Sequence, residues 1–177
     1  PFSDPLADGP VIHEAAVGAL EAGTRLDDVL AICAEVADRL PVVLMVYTSS
    51  ILGGEGPAAF ARRAAAAGAA GVIVPDLPLG EDETIRQTMS EAGLAVVPLI
   101  APTTTGQRRS EICQIASGFV YLVSSVGTTG ERAELPVHLK DLVEDVKSKS
   151  EVPVAVGFGI DSAEHAATVG RQADGVI

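Results

Sequence analysis

The sequence is short of cysteine, of basic charge and of long apolar runs, and each shortage removes a class of function. Only two cysteines occur, Cys33 and Cys113, each in a predicted amphipathic helix, with no paired spacing for a zinc site or a redox dithiol. Buried, inert thiols in a reducing compartment are the expectation. Twelve Lys and Arg stand against 24 Asp and Glu, a formal charge of −12, which favours solubility and argues against a nucleic-acid backbone as partner. No apolar run approaches the roughly 20 residues that a membrane span requires. The three histidines, His13, His138 and His165, fall in or at the start of helical segments without metal-ligand spacing, so no metal is expected. The first residues carry no charged leader or signal-like segment, and the expected location is the cytoplasm.

What is present is a core-forming chain. Of its 177 residues, 47% are hydrophobic, enough to bury a sizeable interior as one domain or part of one. No linker, charge block or low-complexity stretch marks a boundary, so residues 1–177 are taken as a single, incomplete domain. The chain opens in a loop at Pro1-Phe2-Ser3-Asp4 and stops within the apolar run Gly175-Val176-Ile177, and both ends read as cut.

Runs rich in Val and Ile alternate with Ala-rich segments of helical period, the rhythm of repeated βα units. The predicted strands are Val42 to Tyr47, Gly71 to Pro75, Ala95 to Ile100, Phe119 to Ser124, Val152 to Gly157 and Asp174 to Ile177. All are apolar throughout, as expected of parallel strands covered on both faces. Thr24-Arg25-Leu26-Asp27 reads as a capping box opening a helix, and Pro57 as the first position of a helix that Gly68 closes. A further helix begins near Glu81-Asp82 and closes at Gly93, with others after Thr105, Pro136 and Asp161. Six such units fit either an open doubly wound sheet or six eighths of a (β/α)8 barrel, and periodicity does not choose between them.

The loops after the strands carry the candidate chemistry. Pro1 to Pro10 holds two carboxylates, Asp4 and Asp8, among three prolines and a glycine, a stiff frame for aiming acids or a solvated turn with capping aspartates. In Val74-Pro75-Asp76-Leu77-Pro78 the acid either caps the next helix or faces a ligand. Ser124-Ser125-Val126-Gly127-Thr128-Thr129-Gly130-Glu131 is small and glycine-rich, as a mobile lid or a passive loop would be. Gly157-Phe158-Gly159-Ile160 lets backbone N–H groups approach an anion ahead of a helix, or simply makes a tight turn.

Taken in order, Pro1-Phe2-Ser3-Asp4-Pro5-Leu6-Ala7-Asp8-Gly9-Pro10, Val74-Pro75-Asp76-Leu77-Pro78, Ala101-Pro102-Thr103-Thr104 and Gly157-Phe158-Gly159-Ile160 closely resemble the tryptophan synthase alpha family over essentially the whole chain. The resemblance implies a TIM (β/α)8 barrel, here about strands 3 to 8 with their helices. It implies a lyase performing the retro-aldol cleavage of indole-3-glycerol phosphate to indole and glyceraldehyde 3-phosphate, with no cofactor in this chain. Asp8 matches the family's aspartate facing the indole N–H; a second catalytic glutamate should fall four residues before Pro1, and a Gly-Ser pair of phosphate donors beyond Ile177. Tyr121 matches a family tyrosine of the site with a catalytic role, and Tyr47, Ile12, Thr129 and Phe158 match substrate-facing positions, with core packing the alternative for both tyrosines. Gly130, Gly157 and Gly159 match positions around the phosphate. Asp4 matches a residue facing a pyridoxal-phosphate beta chain, the expected partner in an alpha2-beta2 assembly. The chain departs from the family at Thr48-Ser49, where Asn-Pro is usual, at Ser125, commonly arginine, and at Thr128, commonly valine. Those departures keep open a non-catalytic activator of a beta chain; another phosphate-binding barrel enzyme is the third reading.

Overall fold

A computed structural model of the chain describes residues 1–3, 9–124, 138–157, 159–160 and 162–177. Its contacts group into two compact units, one formed mainly by residues 12–96 and the other mainly by residues 97–177.

In the first unit, helices α1 (Pro10–Glu21) and α2 (Leu26–Val36) precede strand β1 (Val42–Met45), the short helix α3 (Thr48–Leu52) and α4 (Pro57–Ala66). Strand β2 (Ala69–Ile73), helix α5 (Glu83–Glu91) and strand β3 (Ala95–Val97) follow, and the three strands form a sheet in the order β1-β2-β3. β1 and β2 run parallel, with Leu44 opposite Val72 and Met45 opposite Ile73. Leu44, Ile51, Phe60, Val72, Ile85 and Met89 share one buried core between this sheet and its helices. Burying each such side chain contributes about 1.5–3 kcal/mol, which helps to hold these short strands in place.

The second unit contains β4 (Leu99–Ile100), α6 (Gly106–Ile115), β5 (Val120–Val123), α7 (Leu139–Lys147), β6 (Val154–Gly157), α8 (Ala163–Gly170) and β7 (Gly175–Val176). Its sheet order is β4-β5-β6-β7, parallel throughout. Val120, Leu122, Val154 and Val156 are fully buried, as apolar strands with helices packed against them should be.

Helix ends follow local chemistry. Pro57 occupies the first turn of α4, and Gly68 and Gly93 follow α4 and α5 with φ of +81°, a conformation that would strain any side chain with a Cβ. The Thr105 hydroxyl accepts from the Arg108 N–H at the start of α6, and Ser162 does the same for His165 at α8. The predicted capping box is displaced by one residue. Arg25, not Thr24, is the N-cap, and the Asp28 carboxylate accepts from its backbone N–H at 2.8 Å. Only this return half of the box can form, because an arginine side chain has no acceptor.

Two further differences have simple causes. The strand expected over 95–100 is split at Pro98, which has no N–H to offer a ladder, although its carbonyl still accepts from Tyr121 N at 2.9 Å. The one-turn helix α3 had no signal in Tyr47-Thr48-Ser49-Ser50, since its cap comes from a residue far along the chain.

Candidate active site

The candidate residues lie at or just after strand C-terminal ends, and each compact unit is described by itself. In the first unit, Tyr47 directly follows β1 in extended conformation and is 6% exposed. Its ring stacks on Phe2 of the opening segment, with centroids 4.5 Å apart and planes inclined by 24°. Offset stacking of this kind adds to the burial of both rings. Phe2 is therefore fastened to the residue after β1 by a ring-on-ring contact.

The next residue is fastened too. Asp76, in the turn after β2, accepts from the Thr48 N–H through Oδ1 at 2.9 Å and Oδ2 at 3.2 Å, while the Thr48 hydroxyl donates to Oδ2 at 2.5 Å. Of the two roles anticipated for Asp76, capping is the one formed, but the helix it caps is α3 in the preceding βα connection. The next helix, α5, begins at Glu83, and its N-cap residue Asp82 makes no side-chain cap bond. The turn that presents Asp76 is closed by Leu77 N–H to the Val74 carbonyl at 3.2 Å. It is also held from behind, where the Arg86 guanidinium on α5, 9% exposed, donates to the Leu77 carbonyl.

In the second unit, Tyr121 on β5 is 5% exposed and its ring lies over the α-carbon of Gly157 on β6. Val123 and Gly157 are partners in the parallel register, and the buried Ser124 donates its N–H to the Gly157 carbonyl at 2.9 Å. Gly159 has φ of +67°, left-handed backbone that favours glycine, shortly before α8. Tyr121 and Gly157 are thus immediate neighbours.

The loop Ala101-Pro102-Thr103-Thr104 after β4 is braced in the same manner as the Asp76 turn. Arg109 of α6 donates to the Thr104 carbonyl at 2.6 Å and to the Asp145 carboxylate at 2.6 Å. Asp145 also takes a short ion pair from Lys149, and the Lys149 and Arg109 bonds hold its carboxyl below the usual range. Asp174 is held low as well, by Lys147 at 2.6 Å and by the Val154 N–H at 2.9 Å. Burial pushes the Cys113 thiol up. Arg86 and Arg109 had no pattern to betray them: a helix arginine reads as surface until the loop carbonyl it meets is known.

Of the other anticipated residues, Ile12 lies on α1 and is 49% exposed, and no described contact ties it to the tyrosines. Asp4, Asp8, Thr129, Gly130 and Phe158 lie outside the described residues, as do the other residues of 125–137. Cys33 and Cys113 are free and buried. Among the described residues no group of three or more His, Cys, Asp or Glu could hold a metal ion, and no helix is long and apolar enough to cross a membrane.

Comparison with known proteins bears directly on this arrangement. Residues 1–177 match the family model described as tryptophan synthase alpha chain. The tryptophan synthase alpha chain of Carboxydothermus hydrogenoformans is 48% identical over 100% of this chain and 67% of its own length. That of Synechococcus elongatus is 47% identical with the same coverage. Among solved structures, tryptophan synthase from Mycobacterium tuberculosis superposes with a TM-score of 0.91 at 38% identity, over 100% of this chain and 68% of the other. The tryptophan synthase alpha subunit of Legionella pneumophila gives 0.87 at 38% identity, over 100% and 66%. The fold class is accordingly that of the (β/α)8 barrel, and the doubly wound alternative falls away.

Proposed function

Because the chain belongs to the tryptophan synthase alpha chain family, lyases that cleave indole-3-glycerol phosphate in tryptophan biosynthesis, we propose how its residues divide that retro-aldol step. The indole ring takes a proton at C3 and becomes an indolenine with positive charge at N1. A base then removes the side-chain hydroxyl proton, the bond between C3 and the side-chain carbon breaks, and its electron pair returns to the ring. Indole and glyceraldehyde 3-phosphate leave.

Asp8 takes the indole N–H, its carboxylate stabilising the cation that develops as C3 is protonated. The partner acid or base is the glutamate expected four residues before Pro1. Tyr47, Phe158 and Ile12 line the indole pocket, with Thr129 closing over it. Tyr121 lends its phenol at the reacting end. Gly130, Gly157 and Gly159 receive the phosphate on backbone N–H groups. Support for the glycine and tyrosine roles comes from their adjacency, with the Tyr121 ring directly over Gly157. All of these parts belong to a single barrel domain.

No cofactor is assigned to this chain, since acid–base groups supply every proton the step moves. A beta chain carrying pyridoxal phosphate is the proposed partner, in an alpha2-beta2 assembly in the cytoplasm, with Asp4 facing it. One observation carries the reading: the family match extends over residues 1–177. The test is indole release from indole-3-glycerol phosphate by the intact protein, which Asp8→Asn and Asp8→Ala should reduce by about 100-fold or more, the scale of a lost electrostatic donor or acceptor at a reacting centre. Full activity in either variant removes Asp8 from the mechanism.

A further inference from the structure

The turn after β2 ends in a carboxylate whose two oxygens are both committed to one residue of the turn after β1. Asp76 receives the Thr48 N–H on both oxygens and the Thr48 hydroxyl on one of them. The nitrogen involved belongs to the Tyr47–Thr48 peptide, so fixing it fixes the plane of the peptide on which the Tyr47 side chain is carried. On its other side Tyr47 is fixed by its ring, stacked on Phe2 at 4.5 Å. Among the contacts of the described residues, Asp76 holds the tyrosine at its peptide and Phe2 holds it at its ring.

The Asp76 end of this linkage is itself rigid. Leu77 N–H closes the turn onto Val74, and the buried Arg86 guanidinium holds the Leu77 carbonyl from within the same unit. Asp76 is exposed, so water and rotamer freedom compete with its bonds to Thr48. Here the backbone on both sides is already ordered by Pro75, Pro78 and the arginine, so less remains to be lost. Thr48 suits the role because it offers a hydroxyl beside its own N–H, a two-donor fork that a carboxylate can accept.

We propose that Asp76 is a positioning residue, which through Thr48 sets the placement of Tyr47 and with it the registry of the opening segment at Phe2. The inference rests on Tyr47 lining the indole pocket, as proposed above. Asp76 then acts on substrate binding through the tyrosine without touching substrate. Removing it loosens a wall that contacts the ring equally in ground and transition states, so KM rises while kcat holds.

The experiment uses the intact protein labelled with 3-fluorotyrosine, the Tyr47 fluorine resonance being identified by its loss in Tyr47→Phe. Asp76→Asn keeps the size and loses one acceptor and the charge; Thr48→Val keeps the shape and the N–H and loses the hydroxyl; Thr48→Ser keeps both donors. Asp76→Asn and Thr48→Val are expected to move or broaden the Tyr47 resonance and to raise KM by about threefold to tenfold, with kcat within about twofold. Thr48→Ser is expected to match the parent in both. A Tyr47 resonance unmoved in Asp76→Asn overturns the proposal, as does an equal perturbation by Thr48→Ser. A fall in melting temperature with neither resonance nor KM changed reduces Asp76 to a helix cap and overturns it too. The pocket reading is tested separately by Tyr47→Ala: an unchanged KM there refutes the lining role of Tyr47, while the fluorine resonance still decides whether Asp76 positions it.

Discussion

The ring of Tyr121 occupies the space that a side chain at Gly157 would need: a Cβ built there falls 2.4 Å from both the ring Cε2 and the hydroxyl oxygen. Gly157→Ala must therefore push the tyrosine aside or bend β6. A displaced phenol and a disturbed glycine turn should cost at least about tenfold in kcat/KM, since misplacement by an ångström at a reacting centre has effects of that order or larger. Steady-state indole production checks this. In the Gly157→Ala background, Tyr121→Ala should recover melting temperature without recovering rate, because room is restored and the phenol is not.

Arg86 holds the Asp76 turn by a charge-bearing donor in a buried setting. Arg86→Met preserves length and apolar packing and leaves the Leu77 carbonyl without its donor. Loss of a hydrogen bond to a charged group, about 1.5–3 kcal/mol, is the expected decrease in unfolding free energy, read from urea denaturation. An unchanged midpoint would show the turn to be self-supporting.

Acid should weaken the second unit through two carboxylates. Asp145 and Asp174 both have folded-state pKa values below the ordinary value, through their bonds to Lys149 and Arg109 and to Lys147 and the Val154 N–H respectively. The unfolded state then binds protons more readily, so the contribution to stability is complete above the unfolded carboxylate pKa of about 3.9 and is lost as pH falls through the lowered folded values. Urea midpoints measured from pH 7 downward should fall most steeply below about pH 4. Asp145→Asn, less stable at neutral pH, should show a shallower acid slope. An identical slope would mean the Asp145 pairs are absent in solution.

Cys113 sits in α6 with its Sγ toward the Val146 carbonyl, and burial raises its pKa. A buried thiol held in its protonated form is a poor nucleophile. Native protein at pH 8 should leave Cys113 unlabelled by a thiol reagent over an hour, and unfolding in urea should expose it to full labelling, as followed by peptide mass. Fast native labelling would place the α6–α7 packing in error.

Much of the architecture was legible because it rests on local chemistry. The parallel βα rhythm, the Pro57 start, the Gly68 and Gly93 stops and the helix after Thr105 depend on residues within a turn or two of one another, and each formed where expected. What escaped detection depends on partners distant in sequence. α3 needs Asp76, 28 positions beyond Thr48; the Arg86 and Arg109 contacts need loop carbonyls that offer no side-chain pattern. The resemblance supplied the site roles, and the structure adds where Tyr47, Tyr121 and Gly157 sit. The capping box was displaced by one residue because the Asp28 carboxylate, three positions after Arg25, is the one that accepts the N-cap N–H.

Arg86 and Arg109 each reach from the helix that follows a strand to a main-chain oxygen of the loop between them. Such a tether grips the chain itself, indifferent to which side chains that loop displays. Substitutions at the loop tips can then alter what the mouth of the protein recognises while the path of the polypeptide stays put, a separation of scaffold from chemistry that would let these segments diversify without unravelling.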